Sequence, residues 1–214
     1  MGMRESNIVV LATSNLDKVK EFKALFKAHT QLNVAPAKEF LRNADKLKYV
    51  ETYHSYEENS LAKARTINLA CHYPALGDDS GLEIQGLDQK PGPLSARYAI
   101  PKAGEGQDEA NVQKVLSELK GKKDEDRKAK FTACLSVVME GLSITAHGEL
   151  HGTIIEEPRG TNGFGYDPIF VPEGETRTLA EMTQDEKNKI SHRAKAFDHL
   201  LELLSENRIE WVKP

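Results

Sequence analysis

Ile8-Val9-Val10-Leu11-Ala12-Thr13-Ser14-Asn15-Leu16-Asp17-Lys18-Val19 is the stretch on which the fold turns. Its first five residues form an unbroken apolar run, the pattern of a short buried strand. From Val19 onward, Phe22, Leu25 and Phe26 recur at helical spacing. Strand, turn and helix therefore follow one another as a βα unit. Further along, a second helix is expected from Ser55 to Cys71, with Leu61, Ala64, Ile67 and Cys71 on its apolar face. Pro74-Ala75-Leu76-Gly77 leads into Asp78-Asp79-Ser80-Gly81 and then the strand-like Leu82-Glu83-Ile84. Asp108 to Leu119 is an amphipathic helix built on Ala110, Val112, Val115, Leu116 and Leu119. The charged stretch from Lys120 to Lys130 reads as a solvated loop. Beyond it, Phe131 to Met139 and Leu142 to Leu150 form a long antiparallel pair that turns at Glu140-Gly141. Ala194, Phe197, Leu201 and Leu204 mark a last helix. Helix-linked strands beside a long hairpin predict an α/β fold, a mixed sheet with flanking helices, in a single domain spanning 1–214.

Composition excludes several classes. With 39% hydrophobic and 29% charged residues over 214 positions, the chain can bury a real core and is too apolar for disorder. No apolar run reaches the length of a membrane span, and no charged leader with a cleavage site opens the chain. Met1-Gly2-Met3-Arg4-Glu5-Ser6 formally fits a myristoylation pattern, but the second methionine favours an extended start. The expected location is the cytoplasm. Cys71 and Cys134 match no metal-ligand spacing and read as reduced, small core residues. A net charge of -4 argues against a nucleic-acid groove while leaving room for a local basic pocket.

Five segments could carry chemistry. Thr13-Ser14-Asn15-Leu16-Asp17-Lys18 opens a helix, where backbone N–H groups, a hydroxyl, an amide and a lysine can cradle phosphate. An ordinary N-cap at Ser14 or Asn15 would explain the same residues. In the second helix, Asn59 and Lys63 share a face, with Glu58 in the first turn. Ser55 and Glu58 also spell a capping box, which competes with a metal-binding role for Glu58. Asp78 and Asp79 are adjacent carboxylates at the expected end of a strand, and such acids repel unless cations compensate them. Magnesium takes one or two carboxylates together with phosphate oxygens and waters. An Asp-Ser-Gly turn is the plainer alternative. Phe164-Gly165-Tyr166-Asp167 lies in a glycine-rich loop where an aromatic face could stack on a base. Lys187, with Ser191-His192-Arg193, offers donors at the head of a helix.

Taken in order, these segments, together with Pro91-Gly92 and Ser95-Ala96-Arg97-Tyr98, resemble the inosine/xanthosine triphosphate pyrophosphatase family from Ile8 to about Leu204. The resemblance implies a homodimer with two lobes around a central substrate cleft. It also implies Mg2+-dependent hydrolysis between the α- and β-phosphates of non-standard purine nucleoside triphosphates, releasing a nucleoside monophosphate and pyrophosphate. On this chain it assigns the phosphate loop to Thr13, Ser14, Asn15, Leu16, Asp17 and Lys18, and a helix lysine to Lys63. The metal falls to Glu58 and one or both of Asp78 and Asp79, with Asp79 as catalytic base, metal ligand or both. Ser80 touches substrate, and Phe164, Gly165, Tyr166, Asp167, Lys187, His192 and Arg193 bind the nucleoside. Two departures stand out. Ser14 replaces a glycine common in the family, and Glu51-Thr52-Tyr53-His54-Ser55 lacks another. Both bear on the shape of the entrance. A nucleotide pyrophosphatase of different base preference and a non-catalytic nucleotide sensor are the competing classes.

Overall fold

The computed structural model describes residues 7–41 and 54–209. The segment Met1–Ser6 and most of the glycine-lacking stretch, 51–53, lie outside the described residues. Ile8–Leu11 is strand β1, and Leu16–His29 is helix α1. Asn33–Pro36 is β2, Tyr56–Cys71 is α2, and Ala75–Ile84 is β3. Lys90–Pro91 is the short β4 and Gln107–Glu118 is α3. Lys128–Met139 and Leu142–Ile154 are β5 and β6, and Phe170–Pro172 is β7. Gln184–Ile190 and His192–Glu206 are α4 and α5.

The strands form one mixed sheet in the order β2-β1-β3-β5-β6-β7, with β4 on β3. β1 pairs parallel with both β2 and β3, whereas β4 on β3 and β7 on β6 are antiparallel. A parallel strand covered on both faces has no polar side to spare, so β1 is apolar throughout. Val9, Val10 and Leu11 are fully buried. The β5–β6 hairpin turns on Glu140 at φ 43° and Gly141 at φ 83°, a two-residue turn whose twist matches its strands.

Three sequence expectations shift. β3 runs unbroken through Asp78-Asp79-Ser80-Gly81, so the two acids lie mid-strand and form no turn. The charged stretch ends earlier than its composition suggests: Lys128 already belongs to β5, and Arg127 is buried, donating to the Leu119 and Ile154 carbonyls. In α5 Leu204 is buried as expected, but the other buried leucine is Leu200, with Leu201 half-covered.

The described chain divides into two compact units. The first is built from the residues up to Asp79, from Cys134–Gly148 and from Arg193 onward; the second comprises Ser80–Ala133 and Glu149–His192. The boundaries fall inside two candidate motifs, between Asp79 and Ser80 and between His192 and Arg193. In the first unit, Val10, Ala12, Ile67 and Ala75 share a core, and Phe26 of α1 meets Phe197 of α5 at 4.9 Å between ring centroids. The second unit packs Leu82, Val115, Phe131, Ile154, Tyr166 and Phe170 together. Fully burying such side chains contributes roughly 1.5–3 kcal/mol each.

Gly77 explains how β3 comes so near α2 in the first unit. A Cβ at this position would overlap the backbone carbonyl of Ser60. The close approach also serves the buried polar side of α2. Ser60 Oγ lies 2.7 Å from Ser136 Oγ and 3.3 Å from Cys134 Sγ. Burial pushes the Cys134 thiol up to about 12, which makes it inert at neutral pH. Neither cysteine is in a disulfide; Cys134 lies in the core and Cys71 is half-buried.

Candidate functional site

In the first unit, the turn between β1 and α1 is set by Asn15. Its side-chain oxygen accepts from Asp17 N at 2.8 Å and Lys18 N at 3.2 Å, while its own N–H donates to Thr13 Oγ1 at 3.2 Å. Asn15 is therefore the N-cap, and Ser14 stands exposed beside it. Ser14 does not have a positive φ, so the turn needs no glycine there. Leu16 is exposed and Asp17 pairs with Lys20. Only Lys18 of this segment turns inward, reaching Asp78 Oδ2 at 2.8 Å.

Asp78 is the charge centre of the unit. The same Oδ2 receives Arg193 Nε at 3.2 Å, and Arg193 Nη1 donates to Glu21 Oε2 at 3.0 Å. Arg193, Glu21 and Asp78 are all nearly inaccessible to solvent. Glu21 is a member that the sequence reading missed. The signal was present: Lys18, Glu21 and Leu25 succeed one another at spacings of three and four, and so share the inward stripe of α1.

Asp79 is gripped from α2. Lys63 Nζ donates to Asp79 Oδ1 at 2.9 Å and to the Asp78 carbonyl at 2.6 Å; Asn59 Nδ2 donates to Asp79 Oδ2 at 3.0 Å. The four-residue spacing of Asn59 and Lys63 thus delivers both to one carboxylate. Glu58 faces differently. It is exposed, its N–H donates to Ser55 Oγ at 3.1 Å, and Ser55 Oγ donates to Glu58 Oε2 at 3.0 Å. The capping interaction is real, and it leaves the second oxygen of Glu58 uncommitted to Ser55.

Three cations, Lys18, Lys63 and Arg193, thus meet three carboxylates, Glu21, Asp78 and Asp79. Burial works against ionisation of Asp78, but Lys18, Arg193 and Lys63 outweigh it and hold the carboxyl well below the usual range. Burial likewise pulls the Lys18 ammonium down from the ordinary lysine value; Asp78 opposes that shift, while Arg193 and Lys63 reinforce it.

A stability consequence follows from the sign of the Asp78 shift. Its folded value lies below the ordinary 3.8, so the unfolded chain takes up the proton first as pH falls. The stabilisation is complete above the unfolded value and drains away as pH drops through the folded one. Urea unfolding at a series of pH values below about 4 will show a shallower acid loss for Asp78→Asn than for the wild type, by up to about 1.4 kcal/mol per pH unit. Identical slopes would mean that Asp78 is not the group concerned.

In the second unit, three glycines shape the loop before Asp167, with φ of 84° at Gly160, 73° at Gly163 and 62° at Gly165. Those left-handed values suit glycine at no steric cost. Asp167 is buried and accepts from Phe164 N at 3.0 Å and from Lys187 Nζ at 2.6 Å. Lys187 Nζ also lies 4.8 Å from the Phe164 ring centroid, within cation–π range. Tyr166 is buried and donates its hydroxyl to the Ser95 carbonyl at 2.8 Å. His192 stacks nearly parallel on Phe131, at 4.8 Å and 11°. Ser191, His192 and Arg193 are all buried, so this segment is more than a solvent-facing N-cap. Ser80 is half-buried at the head of the unit.

A family model described as the Ham1 family matches residues 9–203. The chain belongs to the Ham1 family. Every candidate residue from Thr13 to Arg193 lies inside that match. A dITP/XTP pyrophosphatase of Bacillus subtilis is 44% identical to this Ham1 chain over 196 residues, covering 91% of this chain and 96% of the relative. A solved structure of a HAM1 protein from Coxiella burnetii superposes with TM-score 0.77 at 37% identity, covering 93% of this chain and 98% of the other. The Staphylococcus aureus Ham1 protein gives TM-score 0.78 at 33% identity, covering 94% and 99%. The mixed α/β fold read from the sequence is therefore a Ham1 fold.

Proposed function

We propose that this protein hydrolyses non-standard purine nucleoside triphosphates, the inosine and xanthosine forms and their deoxy counterparts, to monophosphate and pyrophosphate. It thereby cleanses the nucleotide pool. The observation that carries the reading is the pair of adjacent mid-strand carboxylates, each held by its own lysine, in a chain whose relatives bear the name dITP/XTP pyrophosphatase.

The chemistry follows from charge. Lys63 and Asn59 keep Asp79 oriented, so that it can align a water and accept its proton as that water attacks the α-phosphorus. Lys18 and Lys63 then lower the cost of charge gathering on the departing pyrophosphate. A phosphate beside Lys18 would restore the favourable environment for its ammonium that burial withholds.

Magnesium fits this donor set. One oxygen of Asp78 is buried without a hydrogen-bond partner, and all the donors are hard carboxylate oxygens. The constellation is neutral by itself, so a polyphosphate arriving with its own negative charge benefits from an accompanying cation. Among the described residues no three His, Cys, Asp or Glu side chains already form a metal-holding group. The family resemblance assigns the ion to Glu58 and one or both of Asp78 and Asp79, with substrate oxygens completing its shell. When bound, it would polarise the phosphate oxygens.

Base choice is assigned to the second unit. Phe164 offers a stacking face, and His192, fixed against Phe131, offers an N–H donor. A donor facing purine position 6 is satisfied by the oxygen of inosine or xanthosine and left unpaired by the amino group of adenosine, a costly mismatch when buried. Arg193, committed to Asp78 and Glu21, serves the phosphate side. The family resemblance extends the reading to a cytoplasmic homodimer, and sedimentation velocity separates a dimer from a monomer. Among the described residues no helix is long and apolar enough to cross a membrane.

Hydrolysis in 18O-labelled water tests the reaction. Attack at the α-phosphorus puts the label in the inosine monophosphate and leaves the pyrophosphate unlabelled. Label in pyrophosphate, or release of orthophosphate, would refute it.

A further inference from the structure

The loop proposed above to read the base is anchored at three points, and the third has no role in that reading. Phe164 N is tied to Asp167, which Lys187 locks in place. Tyr166 is tied to the Ser95 carbonyl, which also accepts from Asn111 Nδ2 at 3.2 Å. Asn111 is buried on α3, and its oxygen accepts from Ala99 N and Gln107 Nε2, so this anchor is fully committed. Between these two fixed points lies Gly165. Its N–H donates at 2.8 Å to Oδ2 of Asp108, one turn before Asn111 on the same face of α3.

We propose that Asp108 is a positioning residue for base recognition: its carboxylate pins the Gly165 amide and so sets the angle at which Phe164 is presented. Gly165 needs such a clamp. Without a Cβ it explores conformations closed to other residues, yet here it must hold φ 62° between two aromatic side chains. No Cβ would clash at this position, so packing does not fix it and the hydrogen bond must. A charged acceptor makes that bond stronger than a neutral one would. Asp108 is exposed and is not one of the groups assigned to the phosphate chemistry, so its effect belongs in KM and not in turnover.

This inference rests on the assignment of Phe164–Asp167 to the base. The experiment therefore measures Asp108→Ala, Asp108→Asn and Phe164→Ala in the full-length protein, with inosine triphosphate kinetics and amide hydrogen exchange at Gly165. Asp108→Ala is expected to raise KM about tenfold with kcat within about twofold of wild type, the signature of lost uniform binding. Exchange at Gly165 should accelerate to a similar degree, and Asp108→Asn, which keeps an acceptor oxygen, should restore most of both. Unchanged KM and unchanged exchange in Asp108→Ala, alongside a raised KM in Phe164→Ala, would overturn the role of Asp108 and leave the base assignment standing. Faster exchange with KM unmoved in both Asp108→Ala and Phe164→Ala would overturn the base assignment, and the role of Asp108 with it.

Discussion

Replacing Arg193 with leucine will destabilise the protein by about 3–5 kcal/mol, the usual consequence of stranding a buried charge. The guanidinium links Glu21 on α1 with Asp78 on β3, and both carboxylates are almost completely shielded from water. Asp78 keeps Lys18 after the change, but Glu21 loses the arginine that compensates its charge. The loss thus comes from desolvated charge more than from missing packing. Pairing Arg193→Leu with Glu21→Gln removes both sides of that contact and should recover a substantial share of the stability, because neutral partners need no counter-charge. Urea denaturation of the three proteins decides the matter. A loss below 1 kcal/mol in the single variant would mean that Glu21 finds another partner.

Turnover should fall about 10³-fold in Asp79→Asn, within the span that general-base and electrostatic groups contribute. Asparagine preserves the shape and can still accept from Asn59 or Lys63, so the fold at the assay temperature is expected to survive. Far-UV circular dichroism checks that condition. In the proposed mechanism the lost group orients and deprotonates water, and the fall should therefore appear in kcat at saturating substrate and metal. Activity within tenfold of wild type would remove Asp79 from the mechanism.

The sequence was readable wherever one element alone set the outcome. The apolar run of β1, the Glu140-Gly141 turn and the Asn59–Lys63 spacing each follow from local geometry, and each stands in the structure as expected. It was less readable where a distant segment decides. β3 continues through Asp78 and Asp79 because cations supplied by α1, α2 and α5 compensate them; without those partners the same letters spell a turn. The spacing of Glu21 marks the inward stripe of α1, but the arginine that compensates it lies 172 positions away in sequence. Arg127 lies in a stretch whose composition spells a solvated loop, because the carbonyls that bury it belong to other elements. Burial of a charge is a tertiary property, and local pattern reports only that the charge exists. Asp108 shows the same limit at short range: its spacing marks the face of α3, but nothing in its neighbours announces a loop 57 residues on.

On the proposal above, this carboxylate and lysine constellation releases pyrophosphate from purine triphosphates that carry an oxygen at position 6 and no amino group at position 2, where guanosine's amino group would face unpaired donors. Pyrophosphate release from inosine, xanthosine, guanosine and adenosine triphosphates, each with magnesium and with chelator, tests it most directly. The expected result is magnesium-dependent release from the first two, faster than from the others by about 10²-fold or more. Tight binding without pyrophosphate from any of the four would contradict the claim and make the protein a nucleotide sensor.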